Sequence, residues 1–226
     1  MGGGAVESAL REGGDAPGLM LIETMAREAG GIRYRGLHMA RMSQGAALLG
    51  WRWDESAAMA AINGLPPMAE ARLRLTLDAE GRFEATLSPM PVPATRWTVS
   101  IAAERLLSSD PWLRIKSSRR GTYETARAAL APGADEAILL NERGEVCDGT
   151  ITTVFFDRGE GMRTPPLSSG LLPGVLRAAM ACPEEVLMAA DLPRVRLWVG
   201  NALRGLIPAV FILGQISPPE APGPTA

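Results

Sequence analysis

One residue stands out for its chemistry, because the chain of 226 residues contains a single lysine, Lys116. The other 22 of its 23 basic residues are arginines, which stay protonated and are poor nucleophiles. A lysine amine can lose its proton and form a Schiff base with a carbonyl compound. The alternative is an ordinary lysine on a solvated surface, so the case for catalysis depends on the residues that accompany Lys116.

Segments that could hold a cofactor lie before and after this lysine. They include a carboxylate, an arginine three residues after the only histidine, and a glycine-bearing turn that opens a helix. In chain order they are Glu23-Thr24, His38-Met39-Ala40-Arg41, Lys116, Gly144-Glu145-Val146-Cys147-Asp148-Gly149-Thr150, Thr164-Pro165-Pro166-Leu167 and Gly170-Leu171-Leu172-Pro173-Gly174-Val175-Leu176-Arg177. Together they resemble the class IV pyridoxal-phosphate-dependent aminotransferase family, the fold type IV enzymes, over about residues 21–208.

The resemblance implies a fold, a cofactor and a catalytic residue. The fold is α+β and has two domains, as in D-amino acid aminotransferases: a smaller N-terminal α/β domain and a larger, barrel-like C-terminal domain. The cofactor is pyridoxal 5'-phosphate, and Lys116 is the lysine that binds it covalently. We expect burial and the charges of Arg119 and Arg120 to lower the pKa of Lys116, so that a neutral amine can attack the cofactor and later carry protons.

The cofactor phosphate is assigned by the resemblance to Arg41 and to a helix that begins after Gly174. A guanidinium offers a planar fork of donors, and main-chain N–H groups at Val175 and Leu176 would face the phosphate at the positive end of the helix. Asn201 and Ala202 could complete this cradle. The alternatives are a surface arginine and a plain helix that starts at a proline, and His38 is interpreted as a packing or hydrogen-bonding residue.

Asp148 occupies the position where the family usually has a glutamate against the pyridine nitrogen of the cofactor. A carboxylate there keeps the nitrogen protonated and makes the ring an electron sink. The alternative is that Asp148 is only a turn residue before Gly149. Thr153, where relatives often have asparagine, is a second departure from the family pattern.

The segment from Gly200 to Pro208 and the position of Arg120 resemble the 4-amino-4-deoxychorismate lyase branch of the family. Arg120 or Arg204 could then bind a substrate carboxylate. The leading hypothesis is a lyase of folate biosynthesis. It would form 4-aminobenzoate and pyruvate from 4-amino-4-deoxychorismate, a small-molecule amine. A branched-chain or other amino acid transaminase is the alternative, and a non-catalytic relative is a third reading.

Periodicity predicts the elements that must position these residues. Strict alternation over Arg72–Leu77, followed by a turn, predicts a hairpin with Arg82–Leu87. Apolar residues at helical spacing predict a helix over Leu37–Leu49. The remaining expected helices span 56–62, 123–130 and 175–181, and the remaining strands span 19–25, 97–103, 137–140, 145–147, 150–156, 197–200 and 209–213.

Serines and a proline near residue 110 predict a boundary between an N-terminal domain of residues 1–107 and a C-terminal domain of residues 108–216. The proline-rich tail, 217–226, is expected to be disordered. The resemblance also implies a homodimer, for which apolar residues near the proposed site give a hint from the sequence. These are Leu203, Leu206 and Ile207.

Bulk composition excludes several classes of function. A net charge of -2 with scattered arginines does not indicate a nucleic-acid partner. The two cysteines form no disulfide framework and show no metal-ligand spacing, so no metal is expected. The first residues do not resemble a secretion signal, and the apolar stretches are too short to span a bilayer. We therefore expect a soluble, cytoplasmic protein without a membrane partner.

Overall fold

A computed structural model describes residues 10–213 and shows two β-sheets with helices packed around them. The first sheet has four antiparallel strands in the order β2-β1-β3-β4, and the second closes into a six-stranded barrel in the order β10-β5-β6-β7-β8-β9. The strands are β1 (Met20–Glu28), β2 (Gly31–Ile32), β3 (Ala71–Asp78), β4 (Phe83–Ser88), β5 (Trp97–Leu106), β6 (Glu136–Asn141), β7 (Val146–Gly149), β8 (Thr153–Asp157), β9 (Arg196–Asn201) and β10 (Gly205–Phe211). The helices are α1 (Arg35–Leu49), α2 (Glu55–Asn63), α3 (Gly121–Ala128) and α4 (Val175–Met180). The expected α+β, fold type IV architecture is confirmed.

The four-stranded sheet separates an apolar face from a polar one. In β3 the leucines at 73, 75 and 77 are fully buried against α1 and α2, whereas Arg72 and Arg74 are exposed on the opposite face. This follows from the two-residue period of a strand, which sends neighbouring side chains to opposite sides. The predicted hairpin is confirmed by antiparallel pairing between β3 and β4. The polar face of the sheet is therefore left to face the barrel.

The barrel holds the second apolar core. Strands β6, β7 and β8 are buried along their whole length, which is typical of strands covered on both faces. Residues inside the barrel include Ile138, Val154, Phe156 and Val199. Strand β5 closes the barrel by pairing in parallel with both β6 and β10. Because the barrel has no free edge, its rim is a rigid platform for the loops above it.

The strand predicted over residues 150–156 is wrong at its start. Residues 150–152 form a turn, and β8 begins only at Thr153. Threonine and isoleucine favour strands by propensity, but here the turn donates hydrogen bonds to a buried carboxylate, Glu136. The helix predicted from Tyr123 begins two residues earlier, at Gly121, and ends at Ala128.

Sheet membership changes between β4 and β5, and β5 belongs to the barrel. The predicted boundary at residue 107 lies after β5, so it assigns a barrel strand to the N-terminal half. The reason is that β5 finds its partners far along the chain, in β6 and β10. The division into two domains stays a prediction, and the tail 217–226 lies outside the described residues. Between residues 10 and 213, no helix is both long and apolar enough to cross a membrane.

Candidate active site

A cavity of about 710 Å³ lies where the polar face of the N-terminal sheet meets the rim of the barrel. It is lined by every residue that the sequence predicted for the site, except Leu176. The predicted residues brought together are Arg41, Lys116, Arg120, Asp148, Gly174, Val175, Asn201, Ala202 and Arg204. Leu176 is buried, and its side chain packs close to Gly200. Its expected contribution comes from the main chain, so this packing does not contradict it.

Main-chain hydrogen bonds to strand β1 hold Lys116 in place. The amide of Ile22 donates to the carbonyl of Lys116 at 2.9 Å, and the amide of Ser118 donates to the carbonyl of Met20 at 2.8 Å. Residues 116–118 thus lie along β1 as a short added strand, with Ser117 bridged to Leu21. Although Lys116 follows β5 in sequence, its position is therefore set by the N-terminal sheet.

The environment of Lys116 lowers the pKa of its amine to about 8. Burial is the main cause, because it disfavours the charged ammonium. The charges of Arg41, Arg120 and Arg74 act in the same direction, and the carboxylate of Glu23 opposes them. The predicted lowering is supported, but its charge partners differ in part: the Arg119 guanidinium stacks over the ring of Trp112, 4.7 Å from its centre.

A buried carboxylate organises the side of the cavity near Arg41. Glu23 is fully buried and accepts two hydrogen bonds from the Arg41 fork, at 2.8 Å from Nε and 2.7 Å from Nη2. It also shares a hydrogen bond of 2.6 Å with Nδ1 of His38, which supports a hydrogen-bonding role for that histidine. Burial acts to raise the pKa of Glu23, but Arg41 and His38 outweigh it and hold the pKa at about 2.

The depressed pKa of Glu23 has a defined consequence for stability. Because the folded value lies below the usual 4.5, the ionised carboxylate stabilises the folded protein above about pH 4.5. This contribution is lost as the pH falls through the interval from 4.5 to about 2.

The remaining arm of Arg41 reaches the turn before α4. Its Nη1 donates to the carbonyl of Pro173 at 3.2 Å. Next in sequence, Gly174 approaches Thr153 so closely that a Cβ there would lie 2.5 Å from the threonine hydroxyl. The first N–H groups of a helix have no partner within the helix and suit an anion. Arg41 and the start of α4 therefore form a compact, glycine-dependent cradle that fits a phosphate.

Asp148 lies at the end of β7 as a buried carboxyl group with one unused oxygen. Its Oδ2 accepts a hydrogen bond of 2.9 Å from the amide of Leu172, whereas Oδ1 is buried and has no partner within residues 10–213. Burial raises the pKa of Asp148 to about 7, and the charge of Glu136 adds to this effect. An orphaned carboxyl oxygen in a cavity fits a protonated ring nitrogen, which would both pair with it and favour its ionised form.

The two arginines predicted for substrate are both present in the cavity wall. Nη2 of Arg120 donates to the carbonyl of Thr150 at 2.6 Å, and its guanidinium lies over the ring of Tyr123. Arg204 lies over the ring of Trp97. Contacts of this kind orient a guanidinium while leaving other donors free for a ligand.

The side chain of Asn201 is engaged within the protein. Its carbonyl oxygen accepts from the amides of Leu203 and Arg204, at 3.1 and 2.9 Å, and its amide group donates to the carbonyl of Ile151 at 3.0 Å. Asn201 thus fixes the β9–β10 turn. Any contact from this residue to a phosphate would have to come from the main chain, and that role stays a prediction.

Sequence reasoning missed several positively charged residues of the cavity wall. Arg72 and Arg74 line it from the polar face of β3, and Arg105 lines it from β5. The strict alternation in β3 placed both of the first two on one face, but the sequence did not show what that face would meet. Within residues 10–213, no group of three or more histidine, cysteine or acidic side chains could hold a metal ion.

Comparison with known proteins agrees with the motifs. The sequence profile of the family "Amino-transferase class IV" matches residues 20–212. Among curated proteins, the probable branched-chain-amino-acid aminotransferase of Thermotoga maritima is 30% identical over 114 residues, which are 48% of this chain and 41% of that protein. The match thus spans less than half the length of this curated relative.

Solved structures show the same fold over most of the chain. A Mesorhizobium loti protein provisionally assigned as an amino-acid aminotransferase is 40% identical, with a TM-score of 0.81 over 86% of this chain and 100% of that one. The 4-amino-4-deoxychorismate lyase of Pseudomonas aeruginosa is 22% identical, with a TM-score of 0.73 over 86% and 83% of the two chains. Because of its low identity, the second likeness supports the fold alone.

The Glu23–Arg41 pair generates a prediction about the phosphate cradle. Arg41→Ala should weaken binding of pyridoxal phosphate by about 2–5 kcal/mol, the usual cost of removing one partner of a partly buried charge pair. The colour of the bound cofactor should change little, because Arg41 faces the phosphate end. Fluorescence titration of cofactor-free protein measures this affinity, and Arg82→Ala, an exposed arginine paired with Asp78, is the control. An unchanged affinity in Arg41→Ala would remove Arg41 from the cradle.

Proposed function

The chain belongs to the class IV amino-transferase family, whose members depend on pyridoxal phosphate, and we propose that it is a 4-amino-4-deoxychorismate lyase. This enzyme would convert a small cyclic amine into 4-aminobenzoate and pyruvate, a reaction of folate biosynthesis. The single observation that carries the choice of substrate is the excess of positive charge in the cavity wall. The resemblance of Gly200–Pro208 to the lyase branch supports it.

The cavity is lined by many more cations than anions. The arginines that line it are Arg41, Arg72, Arg74, Arg105, Arg119, Arg120 and Arg204, and the acidic residues that line it are Asp110 and Asp148. Aminodeoxychorismate carries one carboxylate on its ring and another on its enolpyruvyl group. A branched-chain amino acid has one carboxylate and an apolar side chain, which would meet charged groups here. The wall therefore favours an amine with more than one negative group.

The cofactor fits the residues that line the cavity. Lys116 offers an amine to its aldehyde, Arg41 and the turn at Gly174 offer donors to its phosphate, and Asp148 offers a carboxyl oxygen to its ring nitrogen. When bound, pyridoxal phosphate supplies a ring that delocalises the electron pair left after a proton is removed from the substrate.

The protein's own residues would then handle the proton and the substrate charges. The Lys116 amine, once freed by the substrate amine, accepts the proton from the ring carbon that bears that amine. Its pKa of about 8 is low enough for a neutral amine to be present near neutral pH. Arg120 and Arg204 would hold the carboxylates while the bond between the ring and the enolpyruvyl oxygen breaks and the ring becomes aromatic. The proton held by Lys116 would pass to the methylene carbon of the departing enolpyruvate, which leaves as pyruvate.

An amino acid transaminase is the second candidate. The observation in its favour is the 40%-identical Mesorhizobium loti protein, which is assigned to that activity. The same lysine would then carry a proton from the substrate to the cofactor, and a keto acid would be needed to complete each cycle. The two candidates differ in that requirement.

We also propose that two copies of the chain form a homodimer that covers the cavity rim. The hint expected from the sequence is not supported in detail, since Ile207 lies in the barrel core and Leu203 is buried. The exposed apolar residues at the rim are instead Leu107, which is 64% exposed, and Ile151. Leu107 and Ile151 are the exposed apolar side chains that a partner copy would cover at this rim.

The dimer can be tested by sedimentation. The wild-type protein should sediment at about twice its chain mass of 24.0 kDa at micromolar concentration. Leu107→Arg should shift it toward the monomer, because a charge would be buried in the interface. Met68→Arg, at an exposed residue that does not line this cavity, is the control. A fully active wild-type monomer would exclude the dimer.

Covalent attachment to Lys116 can be tested with the single lysine as an advantage. Protein reconstituted with pyridoxal phosphate should be yellow, and borohydride should fix the cofactor to the peptide that contains Lys116, as seen by mass spectrometry. Lys116→Ala should abolish the adduct, since no other lysine is present. A colourless wild-type protein after reconstitution would contradict the assignment.

The lyase and the transaminase are separated by their need for an acceptor. Aminodeoxychorismate alone should yield 4-aminobenzoate and pyruvate in equal amounts, with no keto acid added. Leucine or other common amino acids alone should leave the visible absorbance intact, because they are not expected to be turned over. Rapid bleaching by leucine, recovery with 2-oxoglutarate and no 4-aminobenzoate would overturn the lyase and favour the transaminase.

A further inference from the structure

We propose that Glu136 is a positioning residue, which holds the turn of residues 149–152 and through it keeps Asp148 and Arg120 in place in the cavity. Glu136 does not line the cavity and lies at the start of β6, where its side chain is fully buried. The inference rests on the proposed cofactor site, because Asp148 is the residue that site presents to the ring nitrogen.

Four groups of the turn donate hydrogen bonds to this one carboxylate. Oε1 accepts from the amide of Thr150 at 3.0 Å and from its hydroxyl. Oε2 accepts from the amide of Ile151 at 3.2 Å and from the hydroxyl of Thr152 at 2.9 Å. Two successive main-chain amides and two side-chain hydroxyls thus converge on one buried acceptor. The Thr150 amide also donates to the carbonyl of Ala137 at 3.1 Å, whereas the Ile151 amide would be left unpaired without Glu136.

The Glu136 carboxylate is also tightly packed against the main chain at Gly149. A Cβ on Gly149 would lie 2.3 Å from the Thr152 hydroxyl and 2.9 Å from a carboxylate oxygen of Glu136. Only glycine therefore lets the chain pass between Asp148 and the turn. Hydrogen bonds and close packing thus join the Glu136 carboxylate, Gly149 and the turn into one unit, so that a shift of one would move the others.

This unit adjoins groups of the cavity on each side. Asp148 is the residue before Gly149, and it pairs with Thr153, the first residue after the turn. Arg120 donates to the carbonyl of Thr150 at 2.6 Å, so its direction depends on where that carbonyl lies. On the outer side, Arg127 donates to Glu136 at 3.3 Å and to the Thr150 hydroxyl at 3.1 Å.

The charge of Glu136 also acts on Asp148 without touching it. Its negative charge contributes to the raised pKa of Asp148. A substitution that removes this charge should therefore change the proton affinity of Asp148 as well as its position.

The first test needs no substitution. In the wild-type full-length chain without cofactor, the amide of Ile151 should exchange with solvent hydrogen as slowly as those of β8. The reason is that its acceptor, the Glu136 carboxylate, is buried. Fast exchange of the Ile151 amide would overturn the proposal, whether or not the protein binds pyridoxal phosphate. Absence of cofactor binding with slow exchange would instead overturn the proposed function alone.

The second test uses Glu136→Gln in the holoenzyme. Whichever way the amide turns, its NH2 group faces a main-chain N–H, so the turn loses an acceptor and gains a clash of donors. Exchange at Ile151 should rise, cofactor affinity should fall about tenfold or more, and the pH midpoint of the visible absorbance should shift. Glu145→Gln is the matched control, because that carboxylate binds Arg143, Asn141 and Ser169 but not this turn.

Glu136→Asp keeps the proposal testable if Glu136→Gln fails to fold. It keeps the charge but shortens the reach, so its cofactor affinity and its pH midpoint should lie between those of wild type and Glu136→Gln. If Glu136→Gln and Glu145→Gln lose thermal stability alike while cofactor affinity and pH midpoint stay at wild-type values in both, Glu136 is only structural and the proposal fails.

Discussion

The buried ion pair between Glu23 and Arg41 is the interaction on which the candidate site depends. Glu23 lies on the apolar face of β1, opposite Leu75, where the alternation of the strand would normally place a hydrophobic residue. A carboxylate in that position must be paired, since breaking a buried pair costs about 3–5 kcal/mol. Arg41 and His38 supply the partners from one face of α1. The requirement to satisfy this charge therefore fixes how α1 packs on the sheet and leaves one arm of Arg41 for the turn before α4.

Strand β1 positions both the lysine and the phosphate cradle. Its core side carries Glu23, which holds Arg41, and its edge carries the main-chain groups that bind residues 116–118. The cavity side carries Ile22 and Thr24. A single strand thus sets the distance between the reactive amine and the anion-binding groups, which explains why Glu23 and Arg41 both influence the pKa of Lys116.

Much of the fold could be predicted from the sequence, and nine of the predicted site residues line one cavity, although their roles stay predictions. The failures share a cause. The hairpin of β3 and β4 and the helix α1 follow from local periodicity, and Lys116 was identified by its uniqueness. The place of β5 could not be read locally, because its parallel partners lie far along the chain. The turn at residues 150–152 has the composition of a strand, and it is held as a turn by main-chain hydrogen bonds and by the buried Glu136 carboxylate, which no local pattern reveals. The alternation in β3 predicted which face of the strand Arg74 occupies, but not the cavity that this face lines.

Burial moves the pKa values of the two titratable groups that the cofactor would meet toward neutral pH, one from above and one from below. It lowers the pKa of Lys116 to about 8 and raises that of Asp148 to about 7, so the two values differ by only about one unit. A neutral amine is the form that can attack an aldehyde, and a protonated ring nitrogen beside Asp148 would return that group to its carboxylate form. Binding of the cofactor can therefore change the protonation of both Lys116 and Asp148. Glu23, with its pKa of about 2, keeps its negative charge.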